Sequence, residues 1–157
     1  MRRLSGFLLA GAMLLLPAFY GDGGLNAQGS KELTFDGDTA IITVAIKPDK
    51  TADFEQIMKD LGAALMKSEK PERKQQAAGW KVVKGATPIK DGPAAGAVVY
   101  THVINPVVKG ADYTILTLLY EANTDPAAQR AIFEKYRDAF AANMGAGAFT
   151  TVVDLSK

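Results

Sequence analysis

Gly96-Ala97-Val98-Val99-Tyr100-Thr101-His102-Val103-Ile104-Asn105, closed by Pro106, is the stretch on which the fold turns. Its β-branched and aromatic residues, bounded by glycine and proline, predict a central strand flanked by two αβ halves. Alternation along that strand sets Val98, Tyr100, His102 and Ile104 against Ala97, Val99, Thr101 and Val103. Both faces are therefore partly apolar. The same strand carries the only histidine of the chain.

Upstream, residues 39–46 (Thr-Ala-Ile-Ile-Thr-Val-Ala-Ile) are again β-branched and apolar on both faces, which predicts an inner strand. Pro48 stops it, and Asp49 or Thr51 is placed to cap a helix of about five turns. Phe54, Ile57, Met58, Leu61 and Leu65 recur at three- and four-residue spacing and form its apolar stripe. Gly62 in that helix reads as a point of close approach to the sheet. The charged run 67–74 contains Pro71, which should end, kink or restart the helix, and reads as a solvated shoulder. Residues 79–84 predict a second strand with Trp80, Val82 and Lys84 on one face. Pro88, Asp91-Gly92 and Pro93 make the connection 85–96 a long hairpin loop.

Downstream, Asp112 reads as the cap of a short helix bearing Ile115, Leu118, Leu119 and Ala122, although residues 113–118 are equally strand-like by composition. Asp125-Pro126 is an N-cap followed by proline in the first helical position. Ala128, Ile132, Tyr136, Ala139 and Phe140 form the stripe of that last long helix. Gly145 and Gly147 end it in this reading, and residues 148–155 supply the closing strand. The order is that of an α+β, ferredoxin-like β-α-β-β-α-β sandwich with an extra helical segment before the last long helix. Helices on one side leave the other sheet face uncovered, so a face-to-face homodimer is expected.

The N-terminus reads as an export signal. Arg2 and Arg3 precede an apolar run from Leu4 to Tyr20, followed by small residues to Ala27. The expected division is a signal peptide over 1–27, an irregular segment over 28–38 and one ferredoxin-like domain over 39–157. The protein would then be periplasmic or secreted, with no stable membrane insertion after processing. The chain has 18 basic and 17 acidic residues, and removal of Arg2, Arg3 and Asp22 with the signal leaves the domain formally neutral. Such a balance gives no general field for nucleic acid or anionic lipid. With no cysteine at all, packing and self-association must replace disulfides.

The junction of strand 41–46 with Lys47-Pro48-Asp49-Lys50, then Phe54, Ile57 and Met58 and the later strand, hairpin, strand, helix and strand, resembles the dimeric α/β-barrel superfamily. That group includes antibiotic-biosynthesis-type monooxygenase domains and dye-decolourising branches. The resemblance covers about residues 39–155 and implies sheet-to-sheet dimers with pockets between helices and sheet. Some members act on aromatic substrates or haem. No catalytic set carries over residue by residue, and the insertion 106–123 departs from the simplest members.

Trp80, Tyr100, His102, Asn105 and Tyr113 are the candidate pocket residues. Tyr100 and His102 share a strand face, Trp80 belongs to a neighbouring strand, and Asn105 and Tyr113 lie where the insertion could cap an opening. Histidine there could shuttle protons or ligate haem iron; the bland alternative is a structural histidine with a polar partner. The absence of cysteine, of an HExxH motif and of a histidine pair argues against a conventional zinc site. Asp36 and Asp38 lack the later ligands of a calcium loop, and Gly85, Gly92 and Gly96 lack phosphate-loop spacing. Two readings result: an exported homodimeric domain that binds a small apolar or aromatic ligand with no cofactor, or a cofactor-free monooxygenase-like or haem-handling enzyme.

Overall fold

The computed structural model describes residues 32–155, so the export signal read over 1–27 lies outside the described residues. The protein is α+β, with a four-stranded antiparallel sheet and four helices. In chain order these are β1 (Thr39–Ile46), α1 (Thr51–Lys67), α2 (Pro71–Gly79), β2 (Trp80–Lys84), β3 (Val98–Ile104), α3 (Ile115–Ala122), α4 (Pro126–Ala139) and β4 (Phe140–Phe149). A single 3-10 turn, Pro48–Lys50, joins β1 to α1. The strand order β2-β3-β1-β4 interleaves two β-α-β halves: β3 lies between β1 and β2, and β1 lies between β3 and β4. The two most β-branched stretches, β1 and β3, thus pair with each other in the middle, Ile42 opposite His102 and Val44 opposite Tyr100.

Ala40, Ile42, Val44 and Ile46 of β1 and Tyr100 and Ile104 of β3 pack against Phe54 of α1 and Ala139 of α4. A second cluster joins Ile57, Leu61 and Leu65 of α1 to Ile115, Leu118 and Leu119 of α3. The alternate residues Ile41, Thr43, Val99, Thr101 and Val103 belong to neither cluster and stay half-buried on the other face. Two rows cross that face: Lys81, Val103, Ile41 and Gly147, and Val83, Thr101, Thr43 and Gly145.

Several expectations are corrected. The closing strand is β4 over Phe140–Phe149, not 148–155, and Phe140 opens the strand instead of closing the α4 stripe. Helix α4 ends at Ala139, whose carbonyl accepts the Lys47 N–H at 2.9 Å while the Lys47 ammonium reaches the Asp138 carbonyl at 2.8 Å. Strand β4 is poor in strand-forming residues, but the open edge of β1 supplies a ladder of backbone partners that overrides propensity. Gly145 sits at φ 121°, where the register slips between Thr43 and Val44 and Met144 is left without a partner on β1. The stripe of α4 is only half-buried at Ile132 and Tyr136.

Pro71 restarts a helix, yet that helix is not a solvated shoulder: Arg73 and Gln76 are buried. The segment after Asp112 is helical, but Asp112 is not its cap. The helix starts at Ile115, and Asp112 Oδ1 instead accepts the Thr114 N–H, the Thr114 hydroxyl and the Leu33 N–H. Gly62 makes no close approach, since a Cβ there would meet nothing within 4 Å. Asp125 caps α4 as expected, accepting the Ala128 N–H at 3.0 Å. Among the described residues no helix is long and apolar enough to cross a membrane.

Candidate functional site

Strand alternation places Trp80 and His102 on the helix side of adjacent strands. Trp80 lies opposite Ile104, so His102 is its diagonal neighbour. The indole N–H donates to His102 Nδ1 at 3.1 Å. An accepting Nδ1 puts the proton of the neutral ring on Nε2. His102 is 1% exposed, and burial pushes its pKa down to about 4. Phe54 meets its ring edge-on at 6.1 Å, and Tyr113 meets Trp80 edge-on at 5.3 Å. Tyr113 is fully buried, and its hydroxyl oxygen accepts the Val108 N–H at 2.8 Å.

Tyr100 shares the face but not this cluster. Its hydroxyl donates to Glu55 Oε1 at 2.6 Å, and Lys84 donates to the same oxygen at 3.0 Å. The Tyr100 hydroxyl, helped by Lys84, holds the Glu55 carboxyl below the usual range, while burial raises the Tyr100 pKa. This triad ties α1 to β2 and β3. Asn105 is exposed, and its N–H donates to the Gly79 carbonyl at 2.8 Å. Of the five candidate residues, then, Trp80, His102 and Tyr113 meet, Tyr100 faces a separate ionic pair, and Asn105 stands apart.

The opening nearest this cluster lies on the far side of Trp80. Met58, Leu61, Gly62, Leu65, Ala77, Trp80 and Val82 line an apolar groove of about 60 Å³ between α1, α2 and edge strand β2. The missing side chain of Gly62 helps keep it open. About 150 Å³ admits benzene, so this groove suits an aliphatic branch better than an aromatic ring.

A buried polar hub on α2 was not foreseen. Arg73 holds Glu121 of α3 in a two-point pair, Nη2 to Oε1 at 2.7 Å and Nε to Oε2 at 3.2 Å, and Nη1 donates to Gln76 Oε1 at 2.8 Å. Gln76 Nε2 donates to the Asp112 carbonyl at 2.9 Å. The Arg73 guanidinium lowers the Glu121 pKa, and Glu121 raises that of Arg73. Two signals were available: Arg73, Gln76, Ala77 and Trp80 recur at helical spacing, and Glu121 is the sole charge between Asp112 and Asp125. A wider cleft of about 510 Å³ beside the hub carries Lys67, Lys70 and Arg73, but Lys70 and Arg73 are both spent on Glu121.

His102 does not fit haem ligation in this arrangement. Its Nδ1 is engaged by Trp80, and the ring is sealed by α1 and the sheet. Among the described residues no group of three or more His, Cys, Asp or Glu is placed to hold a metal ion. No protein-family model, no curated protein and no solved structure matches the chain.

Proposed function

We propose that the protein is a noncatalytic, exported binding domain of ferredoxin-like fold, acting in the periplasm or outside the cell as a homodimer that takes a small aliphatic group in the groove beside Trp80. The observation that carries this reading is the internal use of the chemistry-bearing side chains. His102 and Tyr113 are consumed by packing, while the concavity beside Trp80 is apolar and the wider cleft beside the Arg73 hub has Lys70 and Arg73 paired with Glu121. The interleaved order β2-β3-β1-β4 supports the ferredoxin-like assignment and the resemblance to dimeric α/β barrels. The uncovered sheet face supports the dimer. Val99, Thr101, Val103, Ile41 and Thr43 form a strip with a single lysine, Lys81, in its crossing rows, and Gly145 and Gly147 at its edge let a second sheet approach closely. Arg2 and Arg3 before the apolar run support export.

Native mass spectrometry of the chain purified gently from its export compartment tests the reading. A dimer carrying a stoichiometric aliphatic molecule is the expected result, with Val103→Glu giving a folded monomer. A wild-type monomer, or substrate turnover at an enzyme-like rate that is lost on changing groove residues, overturns it.

A further inference from the structure

The Trp80 ring joins the buried histidine to the groove. Its indole N–H donates to His102 Nδ1 at 3.1 Å, and the same ring lines the apolar groove with Met58, Leu61, Gly62 and Val82. His102 Nδ1 accepts that bond only while the imidazole is neutral, because the imidazolium carries an N–H at both nitrogens. After protonation two donors face each other at hydrogen-bond distance, and one of the two rings must turn.

The packing decides which. His102 is 1% exposed, flanked in register by Ile42 of β1 and Val82 of β2, with Phe54 of α1 edge-on to its ring. Trp80 is half-buried on the edge strand, with Tyr113 against it and the groove of about 60 Å³ open beside it. The indole is therefore the ring with room to move, and the room is the groove. There its N–H reaches water, and its ring takes the volume that an aliphatic group would use.

We propose that protonation of His102 closes the groove beside Trp80, so that the groove releases its aliphatic ligand in acid and a bound ligand in turn holds His102 neutral. The coupling rests on the reading of the groove as a binding site and adds its regulation. Reciprocity follows from linkage: a ligand seated against Trp80 blocks the turn of the indole, so protonating His102 becomes harder by the same factor that protonation weakens the ligand.

No charged side chain touches His102 from the elements packed on it: Ile42, Val82 and Phe54 are apolar, and Tyr113 stands behind Trp80. The nearest charged groups printed around this core are Glu55 and Lys84, joined at the Tyr100 hydroxyl, and the Arg73–Glu121 pair, which meets Gln76. Glu55 and Glu121 are both held below the usual carboxylate range, and burial raises the pKa of Tyr113. Burial alone sets the histidine, at a pKa of about 4. The folded-state value is depressed, so the open groove persists above it and is lost as pH falls through it.

Isobutanol, a water-soluble branched aliphatic probe, tests the coupling when titrated into the ¹⁵N-labelled full-length chain, whose sole tryptophan and sole histidine each give one unambiguous signal. Affinity should be level from pH 7 to about 5, about twofold weaker at pH 4 and about fourfold weaker at about pH 3.5. Saturating isobutanol should move the His102 midpoint to lower pH. His102→Gln, whose amide oxygen accepts the indole N–H at every pH, should bind evenly throughout. At pH 7, where acid unfolding plays no part, His102→Leu offers no acceptor and should bind about fivefold more weakly than His102→Gln. Absence of isobutanol binding at pH 7 overturns the groove reading and the coupling with it. Wild-type affinity that stays level to about pH 3.5, a fall of equal size in His102→Gln, or equal binding by the Leu and Gln variants at pH 7 overturns the coupling alone and leaves the groove standing.

Discussion

Acidification from neutral pH should destabilise this protein, and His102 is the cause. In the folded chain its pKa is about 4, against 6.5 for an exposed histidine, and burial is the only cause acting on it. The unfolded chain therefore takes up the proton first, and stability falls as pH drops from 6.5 towards 4. The folded-state value is depressed, so the contribution is complete above pH 6.5 and gone below about 4. At 1.36 kcal/mol per pH unit the whole loss is about 3 kcal/mol, of which about 2 kcal/mol is reached by pH 5. That is a large share of the roughly 5–15 kcal/mol that holds a domain of this size. Protonation also removes the acceptor of the Trp80 indole N–H, so the sole tryptophan reports the event. Urea unfolding followed by Trp80 emission at pH 7, 6 and 5, for the wild type and His102→Gln, gives the test: the wild type should lose about 2 kcal/mol and the variant should lose much less. The single histidine also gives one unambiguous proton resonance. A wild-type stability that is flat from pH 7 to 5, or a His102 resonance titrating near 6.5 in the folded protein, would refute the buried-neutral reading.

Three further substitutions probe the framework. Arg73→Met removes the two-point partner of Glu121, leaving it Lys70 alone, and strips the Gln76 oxygen of its donor, and should cost about 2 kcal/mol by urea midpoint; Glu121→Gln, which keeps an acceptor, should cost about half of that. Gly62→Ala should raise stability by about 0.5–1 kcal/mol, because it sits mid-helix with nothing within 4 Å of the new Cβ. The same methyl group narrows the groove, so aliphatic ligands should bind more weakly in calorimetry. Gly79→Ala should lower the thermal midpoint, at a cost of about 2 kcal/mol, since its Cβ would lie 2.7 Å from the Pro106 carbonyl oxygen.

The parts of the fold that were legible are those whose sequence signal is the same as their packing cause. β1 and β3 are β-branched on both faces because both are inner strands. Asp125-Pro126 starts α4 because an acceptor at the cap and a fixed φ act locally, within one turn. β4 was displaced because its stability is borrowed. Ala142, Asn143 and Gly145 join the sheet only because β1 offers them a ladder, and no local term reveals that. Arg73 was misread for the same reason: its carboxylate partner is 48 positions away, and a charge run looks solvated until that partner is known.

The candidate site divides along this line too. Period-two alternation was enough to bring Trp80 towards His102, but alternation fixes a face and says nothing of what lies above it. A histidine on a strand face that α1 covers must find a polar partner within the sheet or leave a buried nitrogen unpaired, at a cost of about 1–3 kcal/mol. The diagonal indole N–H meets that need. The pairing that sequence makes look like the start of a catalytic cluster is thus the condition for burying histidine at all, and the apolar groove lies on the other side of Trp80, where every lining residue except the tryptophan is aliphatic, glycine or methionine.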